Sequence, residues 1–123
     1  MSYFKKRIQS FKHAFRGIRT LFRETPNAWI QLAATVLVIL LGVLFRLSPG
    51  EWLALVIVTG AVFSLEAVNT ALERLSDYAC NKEIHPLVKE TKDLAATGVL
   101  IAALTALIVG VIIFVPKVVE LLF

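Results

Sequence analysis

Cysteine is nearly absent from this chain of 123 residues. Cys80 stands alone, which excludes an internal disulfide and leaves the redox compartment open. Charge is sparse too: Asp, Glu, Lys and Arg make up 18% of the residues and apolar types 58%. A soluble domain carries about 25% charged and 45–50% apolar residues, so the composition points to an integral membrane protein. Internal repeats and low-complexity tracts are missing. So are the Gly-x-x-x-x-Gly-Lys-Ser/Thr phosphate loop and the Gly-rich kinase loop, so any phosphate handling needs another architecture. No nucleic-acid partner is expected. The length suits one domain, residues 1–123.

What the chain does have is apolar length. Ala28–Phe45 runs 18 residues without a charge, Trp52–Leu65 runs 14 and Leu94–Val115 runs 22. A membrane span needs about 20 residues. The first and third runs qualify directly, and the second does so once its polar, helical continuation is included. Upstream, Phe4, Ile8, Phe11, Phe15, Ile18 and Phe22 recur at helical spacing, with Lys5, Lys6, Lys12, Arg16, Arg19 and Arg23 off that stripe. A basic helix with an aromatic face suits a membrane interface. A mitochondrial targeting peptide is similar in character, but here the stripe runs into a span without a cleavage-like break. The expected architecture is an all-α membrane protein: an amphipathic interfacial helix at 3–23, transmembrane helices at 28–47, 51–77 and 92–115, and a polar loop at 78–91. Pro49 and Gly50 predict a tight hairpin between the first two spans.

Seven of the Lys and Arg residues precede the first span, and Arg74, Lys82, Lys89 and Lys92 flank the 78–91 loop; only Arg46 and Lys117 lie on the other side. The positive-inside rule therefore predicts a cytoplasmic N-terminus and a cytoplasmic loop.

Four polar residues end the middle apolar run: Glu66, Asn69, Glu73 and Asp77, at intervals of three, four and four. At about 100° per residue they share one helix face. An ionisable group at bilayer depth marks a functional site by default. Glu66 is the deepest and suits a general base acting on a lipid headgroup. Glu73 and Asp77, nearer the water, suit Mg²⁺, which takes carboxylates together with phosphates and waters. Asn69 can position a hydroxyl or orient the base. The plainer reading of such a stripe is interhelical hydrogen bonding. A second group, His85-Pro86-Leu-Val-Lys89-Glu90-Thr-Lys92-Asp93, closes the loop and opens the third span. Lys92 can reach a phosphate beside free N–H groups of a helix start; His85 can equally be a cap, and Lys82 and Lys89 solvated charges.

The motif Glu66-Ala-Val-Asn69-Thr-Ala-Leu-Glu73-Arg-Leu-Ser-Asp77, followed by His85-Pro86-Leu-Val-Lys89 and Lys92-Asp93-Leu-Ala-Ala, resembles the membrane-integral prokaryotic diacylglycerol kinases, which include the undecaprenol kinases of Gram-positive bacteria. The likeness covers nearly the whole chain, including Phe11-Lys-His-Ala14-Phe15-Arg-Gly17. It implies a homotrimer in the bacterial cytoplasmic membrane, with sites shared between protomers at the cytoplasmic interface. ATP with Mg²⁺ would phosphorylate the hydroxyl of a membrane lipid alcohol, undecaprenol or diacylglycerol; the His85-Pro86-Leu segment looks more like the undecaprenol branch. By position, Glu66 matches the general base, Asn69 its motif neighbour and Glu73 a metal-binding glutamate. Glu83, His85, Lys92 and Asp93 match nucleotide contacts, and Asp77 the motif's terminal aspartate. The family's N-terminal basic residue corresponds to Lys6 or Arg7. One departure stands out. The family's second metal-binding glutamate falls on Thr25 in ungapped alignment, with Glu24 immediately before it, so Glu24 is the substitute ligand expected here. The competing class is a non-enzymatic oligomer, a small pore or accessory subunit using the acidic stripe as an ion path.

Overall fold

Three of the four prolines open a helix. In the computed structural model, which describes residues 2–81, 83 and 85–123, the elements are α1 (Tyr3–Glu24), α2 (Pro26–Leu44), α3 (Pro49–Ala79) and α4 (Pro86–Leu122). Proline has no N–H to lose at the first helical position, and its ring drives the preceding residue out of the helical region. Thr25, Ser48 and His85 are accordingly extended. The break between α1 and α2 is confined to Thr25, and the Trp29 indole N–H closes the elbow by donating to the Phe22 carbonyl at 2.7 Å. The Phe22 and Trp29 rings meet edge to face, 5.1 Å between centroids. Pro116 lies inside α4, which continues through it to Leu122.

The α2–α3 hairpin is as tight as Pro49 and Gly50 predict. Arg46 takes a left-handed conformation (φ 55°). The Leu47 N–H then reaches the Gly42 carbonyl at 3.1 Å and the Arg46 N–H the Val43 carbonyl at 3.2 Å, the paired bonds of a Schellman ending. Ser48 and Glu51 cap the start of α3 reciprocally, satisfying two helix-end donors. Gly42 is required by the packing: a Cβ there would sit 2.6 Å from the Trp52 ring. Leu47, Leu55 and Ile113 form a small core at this end, with Phe45, Trp52 and Phe114 against it. Lys117 of α4 pairs with Glu51 of α3 beside them.

The most extensive packing is α3 against α4. The helices α2, α3 and α4 are each long and apolar enough to cross a membrane. At 1.5 Å per residue α2 is about 28 Å long and α3 about 46 Å, against about 30 Å of hydrocarbon. One end of α3 therefore projects beyond the apolar zone, and the polar stripe lies in that half. Most large apolar side chains are exposed in the single chain, which suits contact with lipid or with further helices. Residues 86–91, placed by sequence in the 78–91 loop, are the first turns of α4: the His85 imidazole accepts from the Leu87 N–H, and Pro86 fixes the starting angle. Lys82 lies outside the described residues.

Candidate active site

Glu66, Asn69, Thr70, Glu73 and Asp77 project from α3 into one cavity of about 360 Å³. Its opposite wall is the α1–α2 elbow: Glu24, Thr25, Pro26 and Asn27, with Arg74 at the rim. The proline-enforced break after Glu24 turns the end of α1 towards α3. Glu66 is only 2% exposed and Asn69 8%, whereas Glu73 is exposed and Asp77 half-buried. The stripe thus runs from a desolvated carboxylate to hydrated ones along one helix face.

A buried carboxylate is stable only if it is hydrogen-bonded. Glu66 receives that bond from α2, where the Gln31 side-chain N–H donates to Glu66 Oε2 at 2.9 Å. One turn on, the Asn69 amide donates to Glu73 Oε1 at 3.5 Å. The Asn69 amide oxygen is buried with no hydrogen-bond partner among the described residues. Thr25 and Thr70 share a hydroxyl–hydroxyl bond of 3.0 Å, pinning the elbow to α3. Glu24 lies 3.5 Å from Arg74 and 3.5 Å from Arg23. At the far end of the stripe Lys92 of α4 pairs with Asp77 of α3.

Of the residues singled out from sequence, the cavity gathers Glu24, Glu66, Asn69, Glu73 and Asp77, and Lys92 joins through Asp77. Four stand elsewhere. Lys6 is exposed in the second turn of α1, and Glu83 is exposed in the connection. His85 caps α4. Asp93 turns away from its neighbour Lys92 and pairs with Lys89, one helical turn back, at 2.9 Å. Among the described residues no three His, Cys, Asp or Glu side chains cluster as a ready-made metal cage. The donor set present, two carboxylates near an amide oxygen that lacks a partner, suits a hard cation that completes its shell with phosphate oxygens and water.

Three residues of the site escaped the sequence reading: Thr70 and Arg74, which line the cavity, and Gln31, which bonds to Glu66 from outside it. Gln31 had a usable signal, because it is the one amide in the uncharged run Ala28–Phe45, and an isolated polar group at that depth needs a partner. Arg74 was counted only as one of the charges that set topology.

The chain matches the prokaryotic diacylglycerol kinase family over residues 12–114. It is 41% identical over 110 residues to the undecaprenol kinase of Bacillus subtilis (strain 168), covering 89% of each chain. It is 34% identical over 115 residues to a diacylglycerol kinase of Synechocystis sp., covering 94% of this chain and 66% of that one. No solved structure gives a significant match. The match over most of the chain sets aside the pore and accessory-subunit reading: this protein belongs to the prokaryotic diacylglycerol kinase family and is a membrane lipid kinase.

Proposed function

We propose that the protein transfers the γ-phosphate of MgATP to the hydroxyl of a membrane lipid alcohol, undecaprenol or diacylglycerol, in the cavity between α3 and the α1–α2 elbow. The observation that carries this is the burial gradient along α3, from Glu66 at 2% exposure to the exposed Glu73. A lipid hydroxyl arrives from the membrane side and a soluble nucleotide from the water side, and the two kinds of carboxylate are ordered to match.

Phosphoryl transfer needs positioning and charge neutralisation more than covalent participation by the protein. Glu66, held by Gln31, accepts the proton of the lipid hydroxyl. Asn69, between the two on the same helix face, donates to the metal-side carboxylate Glu73. Glu73 and Glu24 would hold Mg²⁺, which would neutralise phosphate charge when bound, with Asn69 steadying Glu73. Arg74, now paired with Glu24, and Lys92, now paired with Asp77, are cations that can exchange a carboxylate for a phosphate oxygen. Glu83, His85 and Asp93, with Lys6 or Arg7, are assigned to the nucleotide by their match to the family's positions; their separation from the cavity in a single chain is compatible with a homotrimer in which neighbouring protomers complete each site. The amphipathic α1 lies on the cytoplasmic surface of the bacterial inner membrane, its Phe stripe towards the acyl boundary and its basic residues near the lipid phosphates, and the whole chain acts as one domain.

Membranes containing the protein, incubated with γ-labelled ATP and extracted with organic solvent, test the reading. Label in the organic phase that depends on Mg²⁺ supports it, and label confined to water refutes it. Competition between undecaprenol and diacylglycerol in mixed micelles identifies the acceptor.

A further inference from the structure

A second, larger cavity of about 490 Å³ lies between α2, α3 and α4. Among the described residues its wall is nearly all apolar, with Val38, Val62, Leu107 and Phe114 typical and Gln31, Thr35 and Thr59 the polar exceptions. Thr35 is already engaged, its hydroxyl donating to the Gln31 backbone carbonyl at 2.7 Å. Gln31 lines this groove but not the polar cavity, whereas Glu66 lines the polar cavity but not the groove. The bond from Gln31 to Glu66 is the point where the two meet. The other end of the same amide, Gln31 Oε1, is buried with no partner among the described residues. An orphaned buried acceptor is costly unless something donates to it in the working state.

We propose that Gln31 is the residue that receives the lipid hydroxyl and presents it to Glu66, with the substrate's hydrocarbon chain lying in the α2–α3–α4 groove. This rests on the lipid-kinase reading of the polar cavity. The amide N–H occupies one oxygen of Glu66 and so aims the other. The amide oxygen accepts the substrate O–H as the chain enters, which sets the hydroxyl beside the free oxygen of Glu66. In the transfer, the hydroxyl proton moves to Glu66, the hydroxyl oxygen forms its bond to the γ-phosphorus, and the bond from that phosphorus to the bridging oxygen breaks, with ADP leaving. Gln31 gains and loses no proton. The occupant fits on two counts: the groove is apolar enough for a lipid chain, and it ends at the Gln31 amide, which donates to Glu66.

The test compares wild type, Gln31→Met and Ala106→Phe in lipid nanodiscs, with Glu66→Gln as control. The probes are undecaprenol and a 1,2-diacylglycerol, each beside its methyl ether, which keeps the chain and removes the donated proton. Without ATP, wild type should bind the alcohol it phosphorylates about three- to tenfold more tightly than the ether, the worth of one hydrogen bond. Gln31→Met should cut that ratio below about twofold and raise the lipid KM with the MgATP KM unchanged. Ala106→Phe, which fills the groove, should raise the lipid KM several-fold at constant MgATP KM. Retention of the alcohol preference by Gln31→Met, or a parallel rise in both KM values, overturns the inference. So does an unchanged lipid KM in Ala106→Phe with an altered subunit number, which assigns the groove to a second copy of the chain. If Glu66→Gln stays active, the base assignment itself falls and takes this inference with it; if that control is dead while Gln31→Met behaves as wild type, only the role of Gln31 falls.

Discussion

Glu66 and Glu73 are the same residue type two turns apart on one helix, and their surroundings separate their chemistry. Glu66 is buried and held by an amide N–H; Glu73 is exposed and faces the water end of the cavity. Glu66→Gln preserves shape and removes the base, so the turnover number should fall by about 10²–10⁴-fold, with helicity by circular dichroism and subunit mass unchanged. Near-normal turnover in that variant removes Glu66 from the mechanism. Glu73→Gln should raise the Mg²⁺ concentration needed for half-maximal rate and leave the lipid KM close to wild type; an unshifted Mg²⁺ titration counts against metal binding there. At the elbow, Glu24→Gln should impair Mg²⁺-dependent turnover strongly. Thr25→Val should do less, since it removes one hydroxyl bond to Thr70, worth about 1 kcal/mol. The reverse order of severity would place the second ligand position at Thr25 and leave Glu24 as the partner of Arg74.

Among the elements, the α2–α3 hairpin is the most tightly specified, and it lies at the opposite end of α3 from the cavity. Gly42 packs under Trp52 so closely that an added methyl would need the indole to move. Overpacking of this kind costs about 1–3 kcal/mol. Gly42→Ala should therefore lower the thermal midpoint in detergent while the lipid and MgATP KM values of the folded fraction stay put. Adding Trp52→Leu should recover part of the loss. A Gly42→Ala variant as stable as wild type would mean that the hairpin is looser than its Schellman ending and capping box indicate. At the other end the helices meet through polar side chains, Lys92 with Asp77 and Thr25 with Thr70. These exposed or half-buried contacts hold less firmly than a packed core.

For the whole molecule, the lone thiol is a ready reporter of orientation, because Cys80 caps α3 at the end that carries the polar stripe. A membrane-impermeant maleimide should label Cys80 in inverted vesicles and not in right-side-out ones. In a Cys80→Ser background, Gly50→Cys at the opposite end should show the reverse pattern. Labelling of Cys80 from the outside would overturn the positive-inside assignment and put the cavity away from ATP. The subunit count is tested by native mass spectrometry in detergent, where three copies are expected.

The order of helices, the break at Pro49 and Gly50 and the stripe on α3 were legible in the sequence because each depends on neighbours a few residues apart. Proline and glycine breakers and carboxylates at helical spacing act through local sterics and the 3.6-residue period. Even locally the reading had limits. Residues 86–91 look polar enough for a loop, yet His85 and Pro86 start α4 there, and Lys92 and Asp93, adjacent in sequence, diverge because successive residues on a helix point about 100° apart. What only the tertiary structure decided is which distant side chains meet. Gln31 reaches Glu66 across 35 positions and Thr25 reaches Thr70 across 45, and Glu24 finds Arg74 at the same wall. No periodicity encodes these pairs. They follow from the angle of the elbow and the face that α2 presents to α3, and that packing turns a row of carboxylates on one helix into a cavity with a buried carboxylate at one end and an open mouth at the other.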